Sequence, residues 1–261
     1  MEFLKEILIM TVFEIVYLIG SIVVAGFILG FLRDNSLRNF YRAFGKKSIY
    51  ITGFIGVPIH ELSHAIVAFI FKHKITEMKL FKPSSEDNTL GYVKHRYNSR
   101  SIYQQIGNFF IGIAPILGGT LSIGALMYLL IPSIYNGFMS IIINSINQVN
   151  LINIIESFKE LIKLIFVLDN LKNIKFIIFI FLAICISSHI SLSKADIKGA
   201  SKGLLSMFLI LIILNLLGIT KYVSMNMIIS YNMLMINILF IAIIFSLITY
   251  FISLIIKLIF K

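Results

Sequence analysis

Gly53-Phe54-Ile55-Gly56-Val57-Pro58-Ile59-His60-Glu61-Leu62-Ser63-His64-Ala65 lies inside an apolar run from Ile49 to Phe71. Two imidazoles four residues apart fall on one face of a helix. There they can hold one Zn2+, with the intervening glutamate beside the metal to take a proton from water. The run is long enough to cross about 30 Å of hydrocarbon. It contains no acidic, basic or histidine side chain other than His60, Glu61 and His64. An ionised group near the bilayer centre costs on the order of 2.5–3.5 kcal/mol on insertion scales, so these three residues are either used or paired. With 5 His and 8 Glu in 261 residues, chance supplies roughly 0.003 occurrences of H-E-x-x-H. The competing reading is a hydrogen-bonded cluster that joins helices. Pro58, with Gly53 and Gly56, loosens the helix just before the motif and makes room for a water-filled pocket.

Composition extends this reading to the whole chain. Hydrophobic residues make up 58% and charged residues 13%, and mean hydropathy is +0.95. Soluble domains are about 45–50% apolar and about 25% charged, so an ordinary water-soluble domain and a disordered chain are both excluded. The alternating pattern of a membrane β-barrel cannot reach this hydropathy. The sequence predicts an all-α polytopic membrane protein in contact with the lipid bilayer. About six transmembrane helices are expected, near 7–32, 49–71, 106–131, 175–192, 203–219 and 227–259, the fourth and fifth being short. The first run lacks a cleavage site and reads as a retained span. Cys185 is the lone cysteine, so no disulfide framework exists.

Between the runs, residues 33–48 form a basic linker. In 72–105, strand-like stretches Ile75 to Phe81 and Leu90 to Val93 flank the turn cluster Pro83 to Asn88, which predicts a membrane-edge β-hairpin. Residues 133–174 read as amphipathic helices on the membrane surface. Three segments follow from this: 1–48, an N-terminal span and linker; 49–203, a core; and 204–261, the C-terminal spans. The net charge of +11 is spread over every loop. That pattern speaks against nucleic acid as a partner and for anionic lipid. A small excess of Lys and Arg predicts both termini and loop 72–105 on the cytoplasmic side. Abundant Ile, Asn and Lys fit a bacterial cytoplasmic membrane protein.

A catalytic zinc takes three protein ligands and keeps one open position. Candidates for the third are Asp196, His189, Glu156 and Glu160. Asp196 lies just past the fourth run, on the membrane side reached by the end of span two after His64. Its other reading is a cap for the next helix, with Gly199 in a turn. His189 is a ligand, or a group that supports one from behind. Glu156 and Glu160, near Lys159 and Lys163, read as a solvated face, and His73 and His95 as ordinary solvated histidines. Asn108 either donates to an oxyanion or joins two helices.

These motifs resemble the site-2 protease family of intramembrane zinc metalloproteases. That family carries H-E-x-x-H on one core span, a short Gly/Ala-Pro motif on a second, and an Asp-containing motif on a third. Here the matching residues are His60 to His64, Ala114-Pro115-Ile116-Leu117-Gly118-Gly119 and Ala195-Asp196-Ile197-Lys198-Gly199, in the family's order. Ser188, Ser191 and Lys194 stand where the family has Asn and two prolines. The resemblance covers roughly residues 49–203. It implies His60, His64 and Asp196 as zinc ligands and Glu61 as general base. The implied activity is a metalloendopeptidase acting on membrane-embedded or membrane-associated protein or peptide substrates. The rivals are a transporter with His60, Glu61 and His64 as an ion site, another membrane zincin using Glu156 or Glu160, and a non-catalytic scaffold.

Overall fold

The computed structural model describes residues 2–83, 89–147, 156, 159–160, 162–165, 167–222 and 225–260. It is mainly helical. Helix α1 spans Glu2–Phe44, α2 Lys46–Ile70, α3 Ile102–Leu130, α4 Pro132–Asn147, α5 Ile174–Ser187, α6 Lys194–Leu216 and α7 Met225–Ile259. A two-stranded antiparallel sheet, β1 (Lys74–Lys79) and β2 (Tyr92–Arg96), lies between α2 and α3. Most of the turn cluster, residues 84–88, lies outside the described residues.

Among the described residues five helices, α1, α2, α3, α6 and α7, are long and apolar enough to cross a membrane. The expected fourth span is shorter than predicted. Helix α5 has 14 residues, about 21 Å at 1.5 Å per residue. It ends at Ser187, and residues 188–193 form an irregular segment, buried as far as Ser191, before α6 begins. Large apolar side chains such as Phe27 and Phe31 on α1, and Leu205, Leu209 and Ile213 on α6, are exposed along the helices. Such a surface suits lipid and not water, and with the helix lengths it marks a membrane protein.

The basic stretch after the first apolar run is helical rather than a loop, since α1 continues without a break to Phe44. Gly45, at φ 66°, turns the chain into α2. The hairpin forms as expected, but its second strand starts at Tyr92, two residues later than predicted, and a register irregularity falls between Ile75 and Glu77. Exposed Glu77 closes the pair across the strands, with Tyr92 Oη and Lys94 Nζ both donating to its carboxylate. Helix α4 buries Ile134, Phe138 and Ile142, one stripe at four-residue spacing, as an amphipathic helix should.

The core joins α1, α3, α4, α5 and α7 through side chains such as Leu29, Ile116, Ile123, Phe179 and Phe245. The two ends of the chain meet within it. Asn39 Nδ2 donates to Ser253 Oγ at 3.1 Å, and Tyr231 Oη to the Leu18 carbonyl at 3.0 Å. Glu14, an ionisable residue in the first span, is a helix contact: its carboxylate accepts from Asn215 Nδ2 of α6 at 2.8 Å. In lipid such polar contacts hold helices that gain no hydrophobic drive from pairing.

Two close approaches set the site. A Cβ on Gly118 of α3 would stand 2.7 Å from Ser63 Cβ of α2, and one on Gly112 would stand 2.7 Å from Ala200 Cβ of α6. Only glycine admits backbones this near. Helix α3 thereby brings the H-E-x-x-H face of α2 and the first turn of α6 to the same place.

Candidate metal centre

His60, His64 and Asp196 form the one three-residue group among the described residues that could hold a metal ion, with one ligand atom from each within 4.8 Å of the others. The His60 and His64 Nε2 atoms are 3.2 Å apart. His64 Nε2 lies 3.3 Å from Asp196 Oδ1, and His60 Nε2 4.0 Å from Asp196 Oδ2. Two ligands about 2.0–2.1 Å from a tetrahedral Zn2+ stand about 3.3 Å apart, so the spacing suits such an ion.

The tautomers follow from the ring nitrogens that face away. His64 Nδ1 is 2.8 Å from the Ile111 carbonyl and His60 Nδ1 is 3.0 Å from the His189 carbonyl. A carbonyl can only accept, so each Nδ1 carries the hydrogen and each neutral ring turns a bare Nε2 lone pair inward. Two lone pairs and a carboxylate oxygen then converge with no donor among them. A metal ion is one species that satisfies all three acceptors at once, and histidine ligands fixed by outer carbonyls are the pattern for holding one.

Both carbonyls are left without a helical partner. In a regular helix the Ile111 carbonyl would accept from residue 115, but Pro115 has no N–H. The proline thus frees the acceptor that orients His64. The His189 carbonyl would accept from Ser193 N if α5 continued. The helix stops at Ser187 instead, and Ser193 N donates to Asp196 Oδ2 at 2.7 Å. Asp196 N donates to Ser193 Oγ at 3.1 Å, so Ser193 is the N-cap and Asp196 completes a capping box. The two expectations for Asp196 are therefore compatible: one carboxylate closes the cap and faces the histidines. Gly199, expected in a turn, is inside α6.

Glu61 is buried, 7% exposed, and lines two cavities that meet at His60 and Glu61. One, about 570 Å³, lies between α1, α2, the hairpin and segment 188–193. The other, about 520 Å³, reaches His64, Asp196, Asn108 and the first residues of β2. Gly91 passes directly over the glutamate, since a Cβ there would stand 2.9 Å from Glu61 Cγ. Asn108 does not bridge helices as expected: its Nδ2 donates to Gln105 O of its own helix at 3.3 Å, while the residue lines the second cavity.

The other candidates lie apart from this cluster. The His189 ring is buried, 3.2 Å from Thr52 Oγ1 through Nε2, and the residue serves the site through its carbonyl. Glu156 and Glu160 are exposed helical residues and do not join the metal-competent group.

His73 and His95 depart from expectation, because they are not freely solvated. His73 is buried, its Nε2–H donates to Gln104 O at 2.8 Å, and its Nδ1 faces His95 Nδ1 at 3.0 Å. With Nε2 protonated, neutral His73 accepts at Nδ1 from His95 Nδ1–H. The polar surroundings of 72–105 hid this, because His73 is buried where the chain leaving α2 packs on the first turns of α3. Burial holds both rings below the ordinary value of 6.5, and for His95 the neighbouring His73 adds to the shift. A depressed histidine stabilises the fold above its unfolded value, and that contribution fades as pH falls below about 6.5 through the folded values. Hydrogen exchange should therefore show β1 and β2 amides losing protection relative to α3 between pH 7 and 5. Equal protection at both pH values would refute the pairing.

No protein-family model, no curated protein and no solved structure matches the chain.

Proposed function

We propose that the protein is an intramembrane zinc metalloprotease of the site-2 protease type. It hydrolyses peptide bonds of membrane-embedded or membrane-associated proteins, with His60, His64 and Asp196 as ligands and Glu61 as general base. The observation that carries this reading is the convergence of three acceptor atoms beside a buried glutamate that opens onto two cavities. In this reading α5 and the buried segment after it make a sixth passage, with both termini and the hairpin on the cytoplasmic side.

A bound Zn2+ would lower the pKa of water towards about 7 and polarise the scissile carbonyl. The chain's own residues do the rest. Glu61 takes the water proton on its carboxylate and delivers it to the leaving nitrogen. The Ile111 and His189 carbonyls hold the two rings in the ligating tautomer. Asn108 has a second Nδ2 hydrogen beyond the one given to Gln105, available to the developing oxyanion on the cavity wall. The hairpin covers Glu61 and limits water to the cavities.

Purified protein should carry about one zinc per chain, and chelation should stop cleavage of a transmembrane reporter until zinc is restored. Protein that neither binds zinc nor cleaves would reject the proposal. A finer test is Pro115→Ala, which returns an N–H to compete with His64 for the Ile111 carbonyl. Zinc affinity should fall about 10- to 100-fold, the usual effect of losing an outer-shell partner. The thermal midpoint of the metal-free protein should not fall, since alanine suits a helix better than proline. Unchanged affinity in a chelator competition would show that the freed carbonyl is immaterial.

A further inference from the structure

The larger cavity has a chemistry of its own. Its wall holds Arg33 and Tyr41 of α1 and Lys46 and Tyr50 of α2, and it ends at His60 and Glu61. Among the described residues, Glu61 is the one acidic residue lining it, and in the proposed mechanism that residue transfers protons. The Arg33 side chain is one-third exposed. Among the described residues its ion pair is with the adjacent Asp34, 3.3 Å away and exposed. Its Nε is buried and has no hydrogen-bond partner among the described residues. A guanidinium presents donors in a fixed fork suited to a carboxylate. Among the described residues, Arg33 thus brings a positive charge to a cavity wall that offers it no carboxylate other than that of Glu61.

We propose that this cavity is a carboxylate-binding subsite, in which Arg33 receives an anionic group of the substrate next to the bond at His60 and Glu61. The proposal rests on the peptidase reading. It adds that preferred substrates carry an acidic side chain flanking the scissile bond, or end in a free carboxylate close to it. Both sources share one chemistry, and peptides can separate them. Arg33 is a specificity-determining residue here, not a catalytic one.

The test uses the full-length, zinc-loaded Glu61→Gln protein in detergent, with binding of fluorescent apolar peptides read by anisotropy. One set varies Asp against Asn at positions flanking the cut site. A second varies a free against an amidated C-terminus. One of the two changes should weaken binding about 10- to 100-fold, as expected for losing a charge-assisted contact. The set that responds identifies the source. Adding Arg33→Gln should abolish that discrimination in a double-mutant cycle, while zinc content stays unchanged. Discrimination that survives Arg33→Gln overturns the proposal, and so do peptides that bind equally well with and without the carboxylate. Failure of zinc loading, or of cleavage by the wild-type protein, would instead count against the peptidase reading itself.

Discussion

Glu61→Gln is expected to lower peptide-bond cleavage by about 10²- to 10⁴-fold, the usual contribution of general acid–base catalysis, with zinc content unchanged. Glutamine keeps the shape of the side chain, which is buried and packed beneath Gly91, so the fold around it should persist. What disappears is the one carboxylate, among the described residues, that lines both cavities. Cleavage of a transmembrane reporter, measured beside metal analysis of the same sample, checks this. Retained cleavage would dismiss Glu61 as the base. Altered cation flux in vesicles, with no cleavage by the wild type, would favour the transporter reading.

Asp196→Asn is the second large effect. Asparagine keeps an oxygen to accept from Ser193 N, so the capping box that starts α6 is largely preserved. The negative charge beside His64 is lost. Zinc affinity should therefore fall by more than the roughly 10- to 100-fold typical of an outer-shell change, and dialysed protein should come out nearly free of metal. Asp196→Ala should do the same and also lose the bond that Ser193 N donates to close the capping box. Glu156→Ala and Glu160→Ala should keep their zinc. Loss in the Glu156 variant with retention in Asp196→Asn would move the third ligand.

The sequence exposed the pair of histidines and the glutamate because charge is costly in an apolar run, and a four-residue spacing has one meaning on a helix. The hairpin was legible from its turn residues, though not its register, which cross-strand pairing through Glu77 decides. Asp196 was readable only as an ambiguity, since a capping residue and a ligand look the same in one dimension. The orienting groups were hidden because they are backbone carbonyls and carry no side-chain signature. One of them did leave a trace: a proline denies a partner to the carbonyl four residues earlier, so Pro115 already marked Ile111. The His189 carbonyl had no such mark. Hydrophobicity alone continued the fourth run to 192, past the point where the helix gives way to residues 188–193. In sequence Arg33 belongs to a basic linker, because its neighbours there are basic, whereas its neighbours in space line the cavity at His60.

The irregular segment after α5 has a consequence for biosynthesis. It supplies the carbonyl that holds His60, and the residues immediately following it supply Asp196, so the centre draws on two parts of the chain that emerge from the ribosome far apart in time. Until residue 196 has been translated and α6 has settled along α3, His60 and His64 have neither their third partner nor a complete set of restraints. On the proposed reading the centre stays incomplete, and cleavage of neighbouring nascent chains is not possible, until α6 is in place.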